Sequence, residues 1–252
     1  MNIVIIGSGN VAAALGRKFV KAGHHILQIL SRNSSAASEL AYEWDTESAN
    51  YTSLINKDAD VYIIAVSDSA IEQVAADLVL PGKVVAHTAA SVKMDVLKKI
   101  TDNYGVFYPL QSLRKEVDTP TIPIYTEASN DKAKAVLNKL AHSIYNSPVH
   151  SADYDKRAKL HVAAVIVNNF TNHIFTLAED YCKKEGMEFT ELLPLINNTI
   201  NRLNNEPPSA MQTGPAARRD FDTIAKHEEL LQEHPKLLKL YKFLTESILH
   251  KQ

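Results

Sequence analysis

Short apolar runs alternate with amphipathic helical segments from the start of the chain to about residue 150. This alternation predicts a parallel sheet with helices on both faces. The predicted helices follow the first, third and fourth strands and precede the last one. The apolar runs that predict strands are residues 3–6, 25–30, 61–66, 83–86, 106–108, 121–125 and 143–145, and the later helices are expected at 67–78, after residue 91, and at 130–141.

The pattern changes after Val149, where helical periodicity replaces the alternation. Residues 152–185 contain neither proline nor glycine, and as one helix they would span roughly 50 Å. The middle of this run is apolar nearly all round, so we expect other helices to bury it. Such a helical half would cover the carboxyl edge of the sheet or a second subunit. Further helices are predicted at 190–204, 221–232 and 235–250. The chain is therefore expected to have a sheet domain over 1–150 and a helical domain over 151–252.

The first strand runs directly into the motif Gly7-x-Gly9-x-x-Ala12, and the following segment to Ala22 is helical. Two glycines let the backbone turn tightly and approach a pyrophosphate, whose charge is met by N–H groups at the start of the helix. An ordinary strand-to-helix turn without a ligand would not explain glycine at both positions. The sequence thus predicts an α/β protein with an N-terminal doubly wound Rossmann sheet and a C-terminal all-helical domain. The expected dinucleotide contacts are Gly7, Ser8, Gly9, Asn10 and Val11.

The end of the second strand indicates which dinucleotide binds. NAD sites usually carry a carboxylate there for the ribose 2′-hydroxyl, but this chain has Ser31, Arg32 and Asn33. A guanidinium flanked by hydroxyl and amide groups suits a 2′-phosphate. We therefore predict NADP(H) as the cofactor, the alternative for Arg32 being a solvated loop side chain.

Composition limits the remaining function classes. The 252 residues, 45% of them hydrophobic, are enough for one nucleotide-binding domain and a smaller partner domain. A net charge of −2 and a pI near 6.6 do not favour nucleic acid or an anionic membrane as a partner. The single Cys182 excludes an internal disulfide and a cysteine-based metal site, and no metal is expected. No apolar run resembles a signal peptide or a membrane span, so a cytoplasmic protein is expected.

Ligands of open parallel sheets bind beyond the carboxyl ends of the strands. The third predicted strand ends at Val66 and is followed by Ser67 and Asp68, and the fourth is followed by His87. Ser67 and Asp68 either contact the cofactor or simply cap the next helix. His87 either flanks the nicotinamide or bonds to a neighbouring loop.

Polar side chains interrupt the apolar middle of the long helical run. His161, Asn168 and Asn172 share one face at helical spacing, and Asn169 lies beside it. Buried polar groups need partners, and a substrate could be one. We predict that His161 is the general acid or base and that Asn169 orients the substrate. The alternative is hydrogen bonding across a helix–helix interface.

A loop between two C-terminal helices has the sequence Gln-Thr-Gly-Pro-Ala-Ala-Arg-Arg-Asp over residues 212–220. Gly214 and Pro215 followed by small residues predict a tight turn that opens a helix, a geometry able to bind anions. Arg218 and Arg219 would strengthen such a site. The alternative is a capped surface loop with solvated arginines.

Together these motifs resemble a known family over essentially the whole chain: Rossmann-like NADP oxidoreductases with a C-terminal helical domain of unknown function. This family is similar to deazaflavin-dependent NADP reductases, to pyrroline-5-carboxylate reductase and to 6-phosphogluconate and 3-hydroxyisobutyrate dehydrogenases. The glycine-rich and strand-end motifs are generic, whereas the two motifs that begin at His161 and Thr213 are specific. The matching segments are GSGNVA from Gly7, SRN from Ser31, VSDSAI from Val66, HTAAS from His87, YPLQS from Tyr108, HVAAVIVNN from His161 and TGPAARRD from Thr213.

One departure from these relatives affects the expected chemistry. The hydroxyacid dehydrogenases carry a lysine one turn before an asparagine on the long helix. If Asn169 corresponds to that asparagine, Val165 occupies the lysine position and His161 is the nearest titratable group on that face. The resemblance implies an NADP(H)-dependent oxidoreductase that transfers hydride to or from a small C=O or C=N substrate. The alternative is a non-catalytic NADP-binding sensor or scaffold. The length of the helical run indicates a homodimer joined through the helical domain.

Overall fold

The computed structural model of the protein describes residues 1–144 and 149–250. The chain forms two compact units, Met1–Ile166 and Val167–Gln252. The division therefore lies later than the predicted boundary between residues 150 and 151. The reason is that the first turns of the long helical run are bonded to the sheet of the first unit.

Within the described part of the chain, eight strands form one sheet in the order β3-β2-β1-β4-β5-β6-β7-β8. Strands β1 to β6 are parallel, β7 is antiparallel to β6, and β8 is parallel to β7. The predicted doubly wound α/β fold is confirmed, while the reversal at β7 was not predicted. The strands are β1 Asn2–Ile6, β2 His25–Leu30, β3 Glu47–Ala49, β4 Val61–Ile64, β5 Val84–His87, β6 Asn103–Pro109, β7 Ile124–Ala128 and β8 His150–Ser151.

Helices cover both faces of the sheet, as its apolar strands require. In β1, Ile3 and Ile5 belong to one core cluster and Val4 and Ile6 to the other, and all four are buried. The helices of the first unit are α1 Asn10–Lys21, α2 Ser34–Glu43, α3 Ile71–Ala76, α4 Asp131–Ile144 and α5 Tyr154–Ala164. Those of the second unit are α6 Thr171–Lys184, α7 Leu193–Arg202, α8 Pro215–Arg218, α9 Phe221–Leu230 and α10 Pro235–Leu249.

Several predicted elements differ from the structure. Ser143 and Ile144 were predicted as a strand but end α4, because a segment of three residues does not distinguish a strand from a helix end. Tyr145 lies outside the described residues. The helix predicted after residue 91 is only a 3₁₀ turn, Met94–Leu97. The strand predicted at 121–125 lies later, at β7. Strands β3 and β8 were missed because both are short and lack an apolar pattern.

The long helical run of residues 152–185 consists of α5, a π-helical segment Val165–Phe170, and α6. Its middle is not buried within the single chain: Val162 is 60% exposed, Val167 71% and Phe170 58%. The expectation that helices of the same chain bury this segment is therefore wrong. None of the described helices combines the length and the apolar character needed to cross a membrane.

Candidate functional site

A groove of about 740 Å³ lies at the carboxyl ends of β1, β2 and β4. It is lined by residues 6–11, 30–33, 50–52 and 65–67, and by side chains in and after α3. The structure thus brings together the predicted cofactor residues of the glycine-rich turn, the end of β2, and Val66 and Ser67. Asp68 and His87 are not among the residues that line the groove.

The fold itself requires glycine at position 7. Gly7 has a φ of +123°, and a Cβ there would lie 2.1 Å from the carbonyl oxygen of Ala65. Its amide donates to the carbonyl oxygen of Leu30 at 2.8 Å, so the turn is held between β2 and β4. Only a residue without a side chain fits this close approach of two backbones.

Gly9 has a different reason to be glycine. It precedes α1 with an ordinary φ of −84°, and a Cβ there would meet no atom within 4 Å. No side chain caps the start of α1, and its first turn has no acidic residue. The first amides of the helix therefore face open space, since a helix leaves these N–H groups without internal partners. This geometry fits a pyrophosphate, and the fold alone does not explain the missing side chain.

The end of β2 provides the cation of the groove. Arg32 is exposed and forms no salt bridge with any residue that the structure describes. The hydroxyls of Ser8 and Ser31 lie 2.9 Å apart, and Ser31 Oγ accepts from the amide of Asn33 at 3.2 Å. Asn33 Oδ1 accepts from the amide of Ala36 at 3.1 Å and so caps α2. The Arg32 guanidinium is thus available to a ligand, whereas the side-chain oxygen of Asn33 already accepts a hydrogen bond at the start of α2.

Two parts of the groove were not predicted. Residues 50–52, which follow β3, line the groove, as do Gln73 and Asp77. No sequence pattern indicated residues 50–52, because β3, the strand that precedes them, is too short to be recognised. Asn10, by contrast, was predicted as a cofactor contact, and its Oδ1 accepts from the amide of Lys115 at 3.2 Å. This bond ties the loop after β6 to the start of α1.

The residues after β4 contact a neighbouring loop. Ser67 precedes a 3₁₀ turn, Asp68–Ala70, and its carbonyl oxygen accepts from the amide of Ala70 at 2.8 Å. The hydroxyl of Ser91 donates to Asp68 Oδ2. Asp68 therefore links the turn after β4 to the loop after β5, and its predicted contact with the cofactor stays a prediction.

His87 ends β5 and has no exposed surface. Its Nδ1 accepts from the amide of Ala89 at 3.2 Å, and its Nε2 has no hydrogen-bond partner among residues 1–144 and 149–250. Burial, together with the smaller effect of the Arg157 cation, lowers the pKa of His87 to about 4. The imidazole is therefore neutral at neutral pH, and its Nδ1 holds the start of the loop that follows β5. Its predicted role beside a nicotinamide remains a prediction.

Arg157, in the first turn of α5, is fully buried and connects three parts of the first unit. Its Nη1 lies 2.5 Å from Glu127 Oε2 of β7. Nη2 donates to the carbonyl oxygen of Val92 at 2.7 Å, and Nε donates to that of Ala90 at 3.3 Å. The start of α5 is thereby fixed to the loop after β5 and to the sheet. No sequence pattern pointed to Arg157, because a single arginine in a helix is ordinarily solvated.

The predicted acid–base residue His161 belongs to α5. It contacts Tyr108, which lies near the end of β6. Its Nδ1 is 3.1 Å from the hydroxyl oxygen of Tyr108, and the two rings meet edge to face with centroids 6.4 Å apart. Tyr108 is 7% exposed, and burial raises its pKa. The predicted substrate-orienting residue Asn169 is exposed in the π-helical segment of the second unit, and its role stays a prediction.

The 212–220 loop was a further candidate site, with a capped surface loop as the alternative. In the 212–220 loop, Gly214 has a φ of +102°, Ala216 is buried, and Arg218 and Arg219 are exposed. Asp220 Oδ1 accepts from the amide of Thr223 and caps α9, so part of this loop has a structural function.

Among the described residues, no group of three or more His, Cys, Asp or Glu side chains could hold a metal ion.

Comparisons with known proteins agree with this arrangement. A family model described as NADP oxidoreductase, coenzyme F420-dependent, matches residues 2–91. A second model, the domain of unknown function DUF2520, matches residues 122–248. No curated protein sequence matches the chain.

Solved structures resemble the chain over nearly its full length. A Bacteroides fragilis protein named as a candidate NADP oxidoreductase is 37% identical, with a TM-score of 0.90, over 99% of this chain and 98% of that one. Two more distant structures share the fold. Pyrroline-5-carboxylate reductase of Streptococcus pyogenes is 17% identical with a TM-score of 0.65, covering 100% of this chain and 99% of that one. A reductive aminase of Aspergillus terreus in complex with NADPH is 15% identical with a TM-score of 0.72, covering 98% and 92%. The chain therefore belongs to the family of NADP oxidoreductases that join an N-terminal Rossmann domain to a C-terminal DUF2520 domain.

Proposed function

We propose that the protein uses NADP(H) to reduce or oxidise a small compound at a C=O or C=N bond, with His161 exchanging the proton. The observation that carries this proposal is the position of His161 against Tyr108, at the carboxyl edge of the same sheet that forms the groove. Ligands of this class of sheet bind at that edge. A histidine there is suited to general acid–base chemistry.

The groove residues would hold the cofactor in two places. The open amides at the start of α1, beside Gly9, would bind the diphosphate. Arg32 would pair with the 2′-phosphate, since a guanidinium forms charge-assisted bonds with phosphate oxygens. Bound NADPH supplies hydride for the reduction. The protein's own task is then to orient the substrate and to exchange one proton at its oxygen or nitrogen.

Relatives of the same fold favour carbon–heteroatom double bonds as the substrate class. The names of two of them, pyrroline-5-carboxylate reductase and reductive aminase, refer to reductions at carbon–nitrogen bonds. If Asn169 corresponds to the asparagine of the hydroxyacid dehydrogenases, Val165 stands at the position of their lysine, which favours a different proton donor. His161 fills that need within the first unit.

His161→Gln is expected to lower the turnover number by roughly 100-fold or more, because it removes the group that exchanges the proton. The assay follows NADPH oxidation with 1-pyrroline-5-carboxylate, and with ethyl levulinate in the presence and absence of methylamine. NADPH affinity should not change. His173→Gln, which removes an exposed histidine of α6, is the matched control.

Two outcomes would contradict the proposal. Wild-type turnover in His161→Gln would exclude His161 as the acid–base group. NADPH binding without turnover of any of these probes would exclude the proposed substrate class and favour a sensor or scaffold.

Arg32→Ala is expected to weaken NADPH binding by roughly 1.5–3 kcal/mol, the range for hydrogen bonds to charged groups, and to leave NADH binding nearly unchanged. The difference arises because only NADPH carries the 2′-phosphate. Titration calorimetry with both nucleotides measures it. Lys57→Ala removes an equal charge from an exposed position outside the groove and is the control. Equal losses for NADPH and NADH would refute the role of Arg32.

We also propose that a second copy of the chain covers the exposed middle of the long helical run, giving a homodimer. Val162, Val167 and Phe170 are each more than half exposed there, a pattern typical of association surfaces. Light scattering after size exclusion should give twice the chain mass of 27.9 kDa, and Val167→Glu should shift the mass towards the single chain. A monomeric wild-type protein would refute the dimer. A cytoplasmic location stays a prediction.

A further inference from the structure

The ring of His161 is held in one orientation by Tyr108. One contact joins the Tyr108 hydroxyl to Nδ1 at 3.1 Å, and the other is the edge-to-face packing of the two rings at 73°. The opposite ring nitrogen, Nε2, forms no hydrogen bond with any residue in the two described ranges. Nδ1 is therefore occupied by the protein, and Nε2 remains available.

The start of α5 makes this orientation rigid. Arg157 lies one helical turn before His161, on the same face of α5. It is fully buried, and its bonds to Glu127 and to the loop after β5 fix that turn to the sheet. Tyr108 is itself a buried residue of β6. Both partners of the contact thus project from elements that the bonds of Arg157 connect to the same sheet.

The chemistry of imidazole decides which hydrogen bond this contact must be. A ring that exchanges a proton through Nε2 carries N–H on both nitrogens before the transfer, and keeps N–H on Nδ1 afterwards. The partner of Nδ1 must therefore accept a hydrogen bond in both states. A tyrosine hydroxyl oxygen can do so, whereas a partner that only donates cannot. Because burial raises the pKa of Tyr108, the phenol stays neutral and its oxygen remains able to accept from Nδ1–H.

We infer that Tyr108 is a positioning residue of the reaction: its hydroxyl oxygen accepts from Nδ1–H of His161 and leaves Nε2 as the atom that exchanges the substrate proton. This inference rests on the proposed function of His161. In the reducing direction, the substrate carbon gains hydride from NADPH, and its oxygen or nitrogen gains the proton from Nε2. NADP⁺ and a neutral His161 with its proton on Nδ1 remain.

The tautomer of His161 tests the inference without any substrate. In the full-length protein labelled with ¹⁵N-histidine, the His161 signals are identified by their loss in His161→Gln. Once the ring is neutral, the wild type should show a protonated Nδ1 and an unprotonated Nε2. Tyr108→Phe should shift the ring towards Nε2–H, the form that isolated histidine prefers. A hydroxyl deletion is mild enough for the fold to persist, since one hydrogen bond contributes about 1 kcal/mol.

Tyr125→Phe is the matched control. Tyr125 pairs with Tyr108 in the sheet, but its ring stacks on His150 with centroids 5.2 Å apart, and no hydrogen bond joins it to His161 in the described part of the chain. It should leave the His161 tautomer unchanged. A wild-type ring protonated at Nε2, or a tautomer that Tyr108→Phe does not alter, would overturn the inference.

Kinetics provide the second measurement. Tyr108→Phe should lower the turnover number roughly 10- to 100-fold, as expected for a misplaced catalytic group. The KM for NADPH and the Kd for NADPH should both change less than twofold, because Tyr108 is not among the residues that line the groove. An unchanged turnover number in Tyr108→Phe would overturn the inference. Full activity in His161→Gln would instead refute the proposed function, so the two failures are distinguishable.

Discussion

Gly7→Ala is expected to destabilise the protein by roughly 2–5 kcal/mol and to abolish NADPH binding. The added Cβ would lie 2.1 Å from the carbonyl oxygen of Ala65, and the backbone there has a φ of +123°. Neither conflict can relax locally, because the turn is bonded to β2 and packs on the residue after β4. Chemical unfolding monitored by circular dichroism gives the free energy of unfolding, and calorimetry gives the affinity.

Gly9→Ala is the matched variant with the opposite stability result. Its Cβ would meet nothing within 4 Å, and its φ of −84° suits alanine. The free energy of unfolding should therefore remain the same or rise by about 0.4–1 kcal/mol. NADPH binding should nevertheless weaken at least about 10-fold, because the methyl group occupies the space where a diphosphate approaches the backbone. If Gly9→Ala binds NADPH like the wild type, the assignment of the diphosphate to this turn is wrong.

Arg157→Ala is expected to cost about 3–5 kcal/mol of folding stability, the range for breaking a buried ion pair from one side. The variant leaves Glu127 without its cation, and the carbonyl oxygens of Ala90 and Val92 lose their donors. The loop after β5 and the start of α5 would both lose their shared anchor. Turnover should fall with stability, because α5 carries His161.

The control for this prediction is an exposed pair in the same unit. Arg17 bonds to Glu43 with Nε and Oε1 2.6 Å apart, and both side chains are about 40% exposed. Arg17→Ala should cost no more than about 1 kcal/mol, since water replaces the lost interaction. Urea unfolding of the two variants measures the difference. Similar losses in both would show that Arg157 is not the anchor inferred from its burial.

The sequence reveals the elements that depend on local patterns. The apolar run of β1 and the two following glycines predicted both the sheet and the dinucleotide groove, because strand burial and close phosphate approach require those residue types. The different reasons for Gly7 and Gly9 could not be predicted. The first depends on the carbonyl group of Ala65, the residue after β4 and more than fifty residues later in the chain, whereas the second depends on empty space.

Contacts between distant segments account for most of what was missed. Arg157 and Glu127 are 30 residues apart, and Tyr108 and His161 are 53 apart. No periodicity links such pairs, and each side chain alone has an ordinary structural explanation. His87 was predicted from its position at the end of a strand, but its complete burial depends on the loop that folds over it. Propensity and spacing do not report such tertiary packing.

The antiparallel orientation of β7 determines where the long helical run begins. Ile124 pairs with Pro109 at the ligand edge of the sheet, and Ala128 pairs with Gly105 further inside. After α4 returns the chain, β8 pairs beside Tyr125 and Thr126, close to the same edge. A parallel seventh strand would have needed another crossover connection before that point. Reversing one strand thus shortens the path by which the polypeptide delivers an imidazole to the rim of its own sheet.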